Sequence, residues 1–213
     1  HKIDIRNFKS LLVREVEKRP VEVRLNCEVT PEMIGEIKPE AVILAVGSDD
    51  LILPIEGIEN AVTAMSVYNA DFKNLGKKVI VLGGGLVGCE AAADYIDHGI
   101  ETTIVEMQEC LMPETTGLYR TAVHDFIDAH GGKYEVGAKV VKVGKDFVVA
   151  EQNGKEITLH ADTVVNAMGR RAHGVDDLKA AINVPCWSIG DCVRARQIGD
   201  SIREGWTAAM EII

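Results

Sequence analysis

Hydrophobic and polar residues change their rhythm several times along this chain, and each change predicts an element. Between Asp4 and Lys18, Ile5, Phe8, Leu11, Leu12 and Val16 recur at three- and four-residue spacing, which predicts an amphipathic helix that Pro20 stops. Val21, Val23 and Leu25 alternate with Glu22 and Arg24 as a short strand, and Thr30-Pro31-Glu32 opens a brief helix with threonine as cap. Ala41 to Val46 is an apolar strand ending on Gly47-Ser48, and Pro54 to Gly76 is a connection with a helical piece at Ala64 to Asn69. Helices follow at Gly88 to His98, with Val87, Ala91, Ala92, Tyr95 and Ile96 facing a sheet, and at Gly117 to His130, with Leu118, Ala122, Val123, Phe126 and Ile127 inward.

The period then falls from about 3.6 to 2. Short strands around Val140, Phe147 to Val149 and Ile157 to Leu159 are divided by turns at Gly144-Lys145-Asp146 and Asn153-Gly154, a β-meander. Thr163 to Ala167 is one more apolar strand, running into Met168-Gly169-Arg170. In the tail, Trp187 to Asp191 is a strand and turn, and Ser201-x-x-Glu204 has the form of a capping box for a helix through Trp206, Ala209, Met210 and Ile213.

One junction carries chemistry. Lys77 to Gly88 reads KKVIVLGGGLVG, an apolar strand entering Gly83-x-Gly85-x-x-Gly88 and then a helix, with Glu106 at the end of the next apolar strand, Thr102 to Val105. This is the dinucleotide fingerprint in its structural context. Gly83 lets the chain turn, Gly85 removes a side chain where backbone must approach a pyrophosphate, and Gly88 lets helix press on sheet. The first-turn N–H groups around Leu86 and Val87 then face the anion at a helix N-terminus, with Gly84 in the same cofactor-binding turn. A glycine turn serving packing alone is the competing reading.

Glu106 fits a carboxylate that accepts the adenosine ribose hydroxyls and repels a 2′-phosphate, so NADH is expected over NADPH; a solvated strand-end glutamate is the alternative. Glu90, one turn into the helix, can reach the nicotinamide side or merely face solvent. Asp191 can accept a ligand hydroxyl or cap its own turn.

Composition narrows the rest. A chain of 213 residues with 46% hydrophobic content can bury a sizeable core, and a formal charge of −10 argues against a nucleic-acid partner. No apolar run approaches a membrane span. The five cysteines fit neither a disulfide scaffold nor a zinc pattern, and no CxxC or CxxxxC pair is present, so reduced thiols in a cytoplasmic protein are expected and a redox-active disulfide is not. His98, His124, His130, His160 and His173 share no metal spacing.

These motifs carry a resemblance. Val21 to Asn26, Lys38 to Ser48, Val79 to Glu90, Thr102 to Met107, Ala161 to Arg171, Ile189 to Cys192 and Ala195 to Ala209 together resemble the nucleotide-binding portion of the 2,4-dienoyl-CoA reductase, enoate reductase and trimethylamine dehydrogenase group. These are NADH:flavin oxidoreductases related to the old yellow enzymes. The resemblance implies an α/β fold: a Rossmann-like parallel sheet with a β-meander, plus an incomplete second FAD-type domain. It carries Gly83, Gly85, Gly88, Glu90 and Glu106 onto the pyridine-nucleotide half, with Met168, Gly169 and Arg170 bordering it. Gly47 then matches the flavin-side glycine turn, after Val46 where threonine is usual, and Gly190-Asp191 matches the flavin-binding pair whose aspartate bonds the ribityl chain.

It further implies a partner region in the same polypeptide, a TIM barrel with FMN and an iron–sulfur cluster. The chain departs from that pattern in lacking the fingerprint that would hold the FAD pyrophosphate. The expectation is therefore a fragment: an NAD(P)-binding domain at residues 65–183, flanked by partial FAD-type segments at 1–64 and 184–213. FAD retention should be weak or absent, and exposed apolar surface should favour self-association. The function expected is hydride passage from NADH to flavin, in a parent enzyme reducing an activated enoyl or enoate double bond. An NADH-sensing or structural nucleotide-binding subunit, and a generic NADH:acceptor reductase, are the alternatives.

Overall fold

The computed structural model describes residues 3–69, 72–115 and 117–212. The first segment holds helix α1 (Ile3–Glu17), helix α2 (Pro31–Ile37), strands β1 (Val42–Leu44), β2 (Ser48–Asp50) and β3 (Val62–Thr63), and helix α3 (Ala64–Asn69). Strand β4 (Lys78–Leu82), helix α4 (Leu86–Asp97), strand β5 (Glu101–Val105), helix α5 (Leu118–Ala129) and strand β6 (Lys133–Glu135) follow. Then come β7 (Ala138–Val143), β8 (Phe147–Gln152), β9 (Lys155–His160), β10 (Thr163–Asn166) and β11 (Arg170–Ala172). Helix α6 (Asp176–Ala180), strand β12 (Cys186–Ser188) and helix α7 (Ile198–Ile212) complete the chain.

Five strands form a parallel sheet in the order β3-β10-β4-β5-β6. Period-2 alternation in β4 divides its side chains between two faces. Val79 and Val81 join Cys89, Ala91, Ala92 and Tyr95 of α4 in one core, while Ile80 and Leu82 join Val143, Val148 and Ala150 of the meander in another. All four β4 side chains are fully buried, each worth about 1.5–3 kcal/mol of transfer free energy. Coverage on both faces is why β4 reads as an unbroken apolar run. The meander is antiparallel, in the order β7-β8-β9, and its hairpin turns on Asn153 and Gly154, both at positive φ (51° and 73°) as a type I′ turn demands.

Two smaller pairings tie the flanks together. β1 runs parallel to β12, with Val42 opposite Cys186 and Leu44 opposite Ser188. β2 pairs antiparallel with β11, Asp50 opposite Arg170 and Ser48 opposite Ala172. The segments before and after the central sheet thus meet.

Several expectations need correction. Val21 to Leu25 forms no strand; no described strand lies alongside to take its hydrogen bonds, and Val21, Val23 and Leu25 are 57–80% exposed. Helix α1 forms, yet Ile5, Leu11, Leu12 and Val16 stay 43–48% exposed because no described residue covers its apolar side. Val87 is exposed, since Gly88 and Cys89 turn toward the sheet in its place. In α5, Ile127 is buried and Val123 and Phe126 half-buried, whereas Leu118 is 89% exposed and Ala122 exposed, because at about 3.6 residues per turn both fall on the side of the helix away from Ile127. The Ser201–Glu204 capping box is not made. α7 begins at Ile198, Asp200 Oδ2 accepts the Gln197 N–H at 3.3 Å, and Glu204 is drawn off to Gly190. Ile213 lies outside the described residues.

Candidate nucleotide-binding site

The glycine turn stands where β4 leaves the sheet and α4 begins. Gly83 adopts φ +98°, and a Cβ there would come within 2.7 Å of the Ala167 carbonyl oxygen. At Gly88 a Cβ would sit 1.9 Å from the Gly83 carbonyl oxygen, so only glycine lets α4 pack this close. Gly85 is different: a Cβ there would meet no atom within 4 Å. Gly85 caps α4 without a side-chain acceptor, so the first-turn N–H groups of Leu86, Val87 and Gly88 come before any intrahelical partner and face that open space. An open cradle beside unshared donors fits a pyrophosphate.

Glu106 follows β5 directly and is 8% exposed, with its carboxylate turned toward the glycine turn. Oε2 accepts the Gly84 N–H at 2.6 Å, and Oε1 accepts the Gln108 N–H at 2.7 Å. A buried carboxylate receiving two amide bonds is held in one orientation, and its remaining lone pairs are available to sugar hydroxyls.

Glu90 lies on α4 and accepts a 2.5 Å hydrogen bond from the Tyr119 hydroxyl of α5. Burial and this bond push the Tyr119 hydroxyl up to about 12, so it remains a donor at neutral pH.

Arg170 points away from the turn. Its Nε donates to Ser48 Oγ at 2.8 Å, Nη1 to Asp50 Oδ1 at 2.7 Å, and Nη2 to the Ser48 carbonyl. Met168 N–H is held by Asn166 Oδ1 at 3.0 Å, and Leu51 N–H donates to the Gly169 carbonyl at 3.0 Å. The 168–170 loop is therefore fastened to β2 and the residue after it.

On the other side, Gly47 (φ +81°) and Gly190 (φ +67°) line a shallow concavity of about 290 Å³ with Ala45, Asp191, Arg196 and Ser201. Asp191 Oδ2 accepts from Ser48 Oγ at 3.3 Å and Oδ1 from the Arg196 N–H at 3.2 Å. Glu204 accepts the Gly190 N–H at 2.6 Å and pairs with Arg196, and these two bonds hold its carboxyl below the usual carboxylate range. The open glycine at Gly47 and the aspartate facing it suit a polyhydroxyl chain.

The structure thus brings Gly83, Gly84, Gly85, Leu86, Gly88 and Glu106 together, sets Glu90 one turn away, and groups Gly47 with Gly190 and Asp191. Sequence reading missed Ser48 and Asn166, the polar residues joining the two regions. A buried asparagine ending the apolar run Thr163 to Val165 was the signal for the second; Ser48 carried none. All five cysteines are free, and among the described residues no cluster of three His, Cys, Asp or Glu side chains could share a metal.

The pyridine nucleotide-disulphide oxidoreductase family model matches residues 9–198. The chain belongs to that family. Flavin and pyridine-nucleotide binding are the family's chemistry, and the likeness to the nucleotide-binding portion of NADH:flavin oxidoreductases is borne out by this family member's relatives. It is 32% identical over 203 residues to bilirubin reductase of Mediterraneibacter gnavus, covering 93% of this chain and 31% of that protein. With cinnamate reductase of Clostridium sporogenes it shares 35% identity over 190 residues, 85% of this chain and 26% of the relative. The fold matches 2-naphthoyl-CoA reductase, solved with 2-naphthoyl-CoA, at a TM-score of 0.80 and 24% identity, over 91% of this chain and 30% of that one. The chain therefore spans about a third or less of the length of these relatives. No described helix is long and apolar enough to cross a membrane.

Proposed function

We propose that this chain is the NADH-binding portion of a flavin-dependent oxidoreductase. The observation that carries the reading is Glu106, whose carboxylate is buried against the glycine turn and anchored by the Gly84 and Gln108 amides. Gly85 and the first turn of α4 receive the pyrophosphate, Glu106 accepts the adenosine ribose hydroxyls, and Glu90 hydrogen-bonds the nicotinamide carboxamide. A 2′-phosphate beside Glu106 would set anion against anion in a poorly hydrated spot, which favours NADH. When bound, NADH supplies the hydride and a flavin on the Gly47 and Gly190-Asp191 side receives it. Met168, Gly169 and Arg170 border the crevice, and Arg170 serves to hold β11 on β2.

α1 and the 21–25 segment, together with Ile198, Ile202, Trp206 and Met210 of α7, expose apolar side chains that a single soluble unit ordinarily covers. We assign this surface to the remainder of a flavin domain, in a polypeptide whose FMN and iron–sulfur region reduces an activated double bond. The names of the bilirubin and cinnamate reductases support that class of reaction. By itself the chain holds FAD weakly and self-associates through the same surface.

Fluorescence titration of the chain with NADH and NADPH tests the reading. NADH should bind at least about tenfold more tightly, the margin of one charged hydrogen-bonded contact. Equal affinities would remove Glu106 from its role.

A further inference from the structure

Gly84 is gripped on both sides of its Cα, on one by Glu106 and on the other by groups that touch no proposed ligand. Its N–H is bound to Glu106, while its carbonyl accepts the Met112 N–H at 2.7 Å and the Cys89 thiol at 3.2 Å. Space is closed as well: a Cβ at Gly84 would lie 2.5 Å from Leu111 Cδ2 and 2.9 Å from Glu106 Cβ.

Met112 is the unusual member. It sits at φ +50° although it is not glycine, and it is 1% exposed. A buried non-glycine residue in the left-handed region costs about 1–3 kcal/mol and persists only where its surroundings fix it. Here that conformation delivers an amide to the Gly84 carbonyl. Cys89 is fully buried, and burial, then the carboxylates of Glu106 and Glu90, push its thiol up to about 12. The thiol is therefore a permanent donor and no nucleophile.

We propose that Cys89 and Met112 are positioning residues for the dinucleotide: they lock the Gly84–Gly85 peptide so that the turn is set for the pyrophosphate before ligand arrives. The Gly84 N–H belongs to the peptide shared with Gly83 and its carbonyl to the peptide shared with Gly85, so holding both planes fixes φ and ψ of Gly84, whereas holding the N–H alone leaves ψ free. Glycine provides no steric restraint, so the Gly83-Gly84-Gly85 run needs an external one. Preorganisation of this kind lowers the ordering cost charged to binding. The inference rests on the proposed function, because the ligand is the dinucleotide proposed there.

The test compares Cys89→Ala with Cys89→Ser in the whole chain. Both remove the sulfur and leave similar space, but serine keeps an O–H to donate to Gly84. NADH titration should show Cys89→Ala weakened by about three- to tenfold, the reach of one modest hydrogen bond, with Cys89→Ser restored to within about twofold of the parent. Exchange of the Gly84 amide hydrogen should speed up in Cys89→Ala and not in Cys89→Ser. If both variants bind NADH like the parent while melting at lower temperature, Cys89 only packs and the proposal is wrong. If the parent chain binds no NADH yet Gly84 exchange still distinguishes alanine from serine, the lock exists and the dinucleotide reading fails. Equal exchange in both variants would eliminate the lock itself.

Discussion

The strand–turn–helix unit at the centre and the two helices at the flanks both present apolar side chains at regular spacing, and they end differently. In β4 and α4 nearly every apolar side chain finds a partner: Val79 to Leu82, Ala91, Ala92 and Tyr95 are all 0% exposed. In α1 and α7 the apolar stripe is equally regular, yet Leu11, Leu12, Ile198, Ile202 and Trp206 are 44–67% exposed. Periodicity determines that a helix forms and which side would be buried; only a neighbour determines whether it is. The contrast separates a self-sufficient turn from surface that no described residue covers.

The sharpest way to break this contrast is at Gly88. Gly88→Ala forces a Cβ onto the Gly83 carbonyl, and since both atoms belong to tightly packed backbone, the overpacking should cost about 1–3 kcal/mol, a fall in Tm of roughly 2–12 °C, with NADH binding lost as well. A calorimetric scan that matches the parent would show the core to be softer than its packing indicates.

Glu106→Ala comes next. It removes a buried acceptor from Gly84 and Gln108, and should weaken NADH about 10- to 100-fold while weakening NADPH less. Parallel titrations settle it, and equal losses would point to a purely structural glutamate.

In the flanks the same kind of change should matter far less to folding. Trp206→Glu, at a side chain 67% exposed, should alter stability by no more than about 0.5 kcal/mol but reduce self-association in sedimentation velocity. An unchanged sedimentation profile would detach α7 from that surface.

The smallest effect concerns the Gly190 turn. Glu204 is held below its ordinary pKa by the Gly190 amide and Arg196, so its contribution is complete above the unfolded value of about 4.3 and is lost as pH falls through the lower folded value. Glu204→Gln should flatten that part of an acid denaturation curve. An identical slope would exclude the carboxylate as a fastener.

What the sequence disclosed follows the same division. β4, α3 and the Asn153-Gly154 hairpin were legible because local pattern and tertiary partner agree there. Leu118 was misread because its apolar character outweighed helical spacing, which at about 3.6 residues per turn sets it opposite the buried Ile127. Glu204 was misread because a local cap and a distant amide, Gly190, compete for one carboxylate, and only the fold brings the second within reach. At the site, Gly83, Gly88 and Glu106 are readable since their roles depend on spacing. Cys89, Met112, Ser48 and Asn166 are not, because each acts on backbone brought near by folding. Arg170 borders the crevice by the resemblance, but its guanidinium is taken up by Ser48 and Asp50, partners more than a hundred residues away.

Gly85→Ala examines the core of the account in one protein. Its φ of −70° is ordinary for alanine, and the new methyl would meet nothing within 4 Å, so the fold has no reason to weaken. The methyl would instead occupy the space assigned to the pyrophosphate. NADH affinity should fall by about tenfold or more with Tm unchanged within about 1 °C. A variant that binds NADH as the parent does, or that fails to bind only because it has unfolded, would contradict the assignment of that space to the dinucleotide.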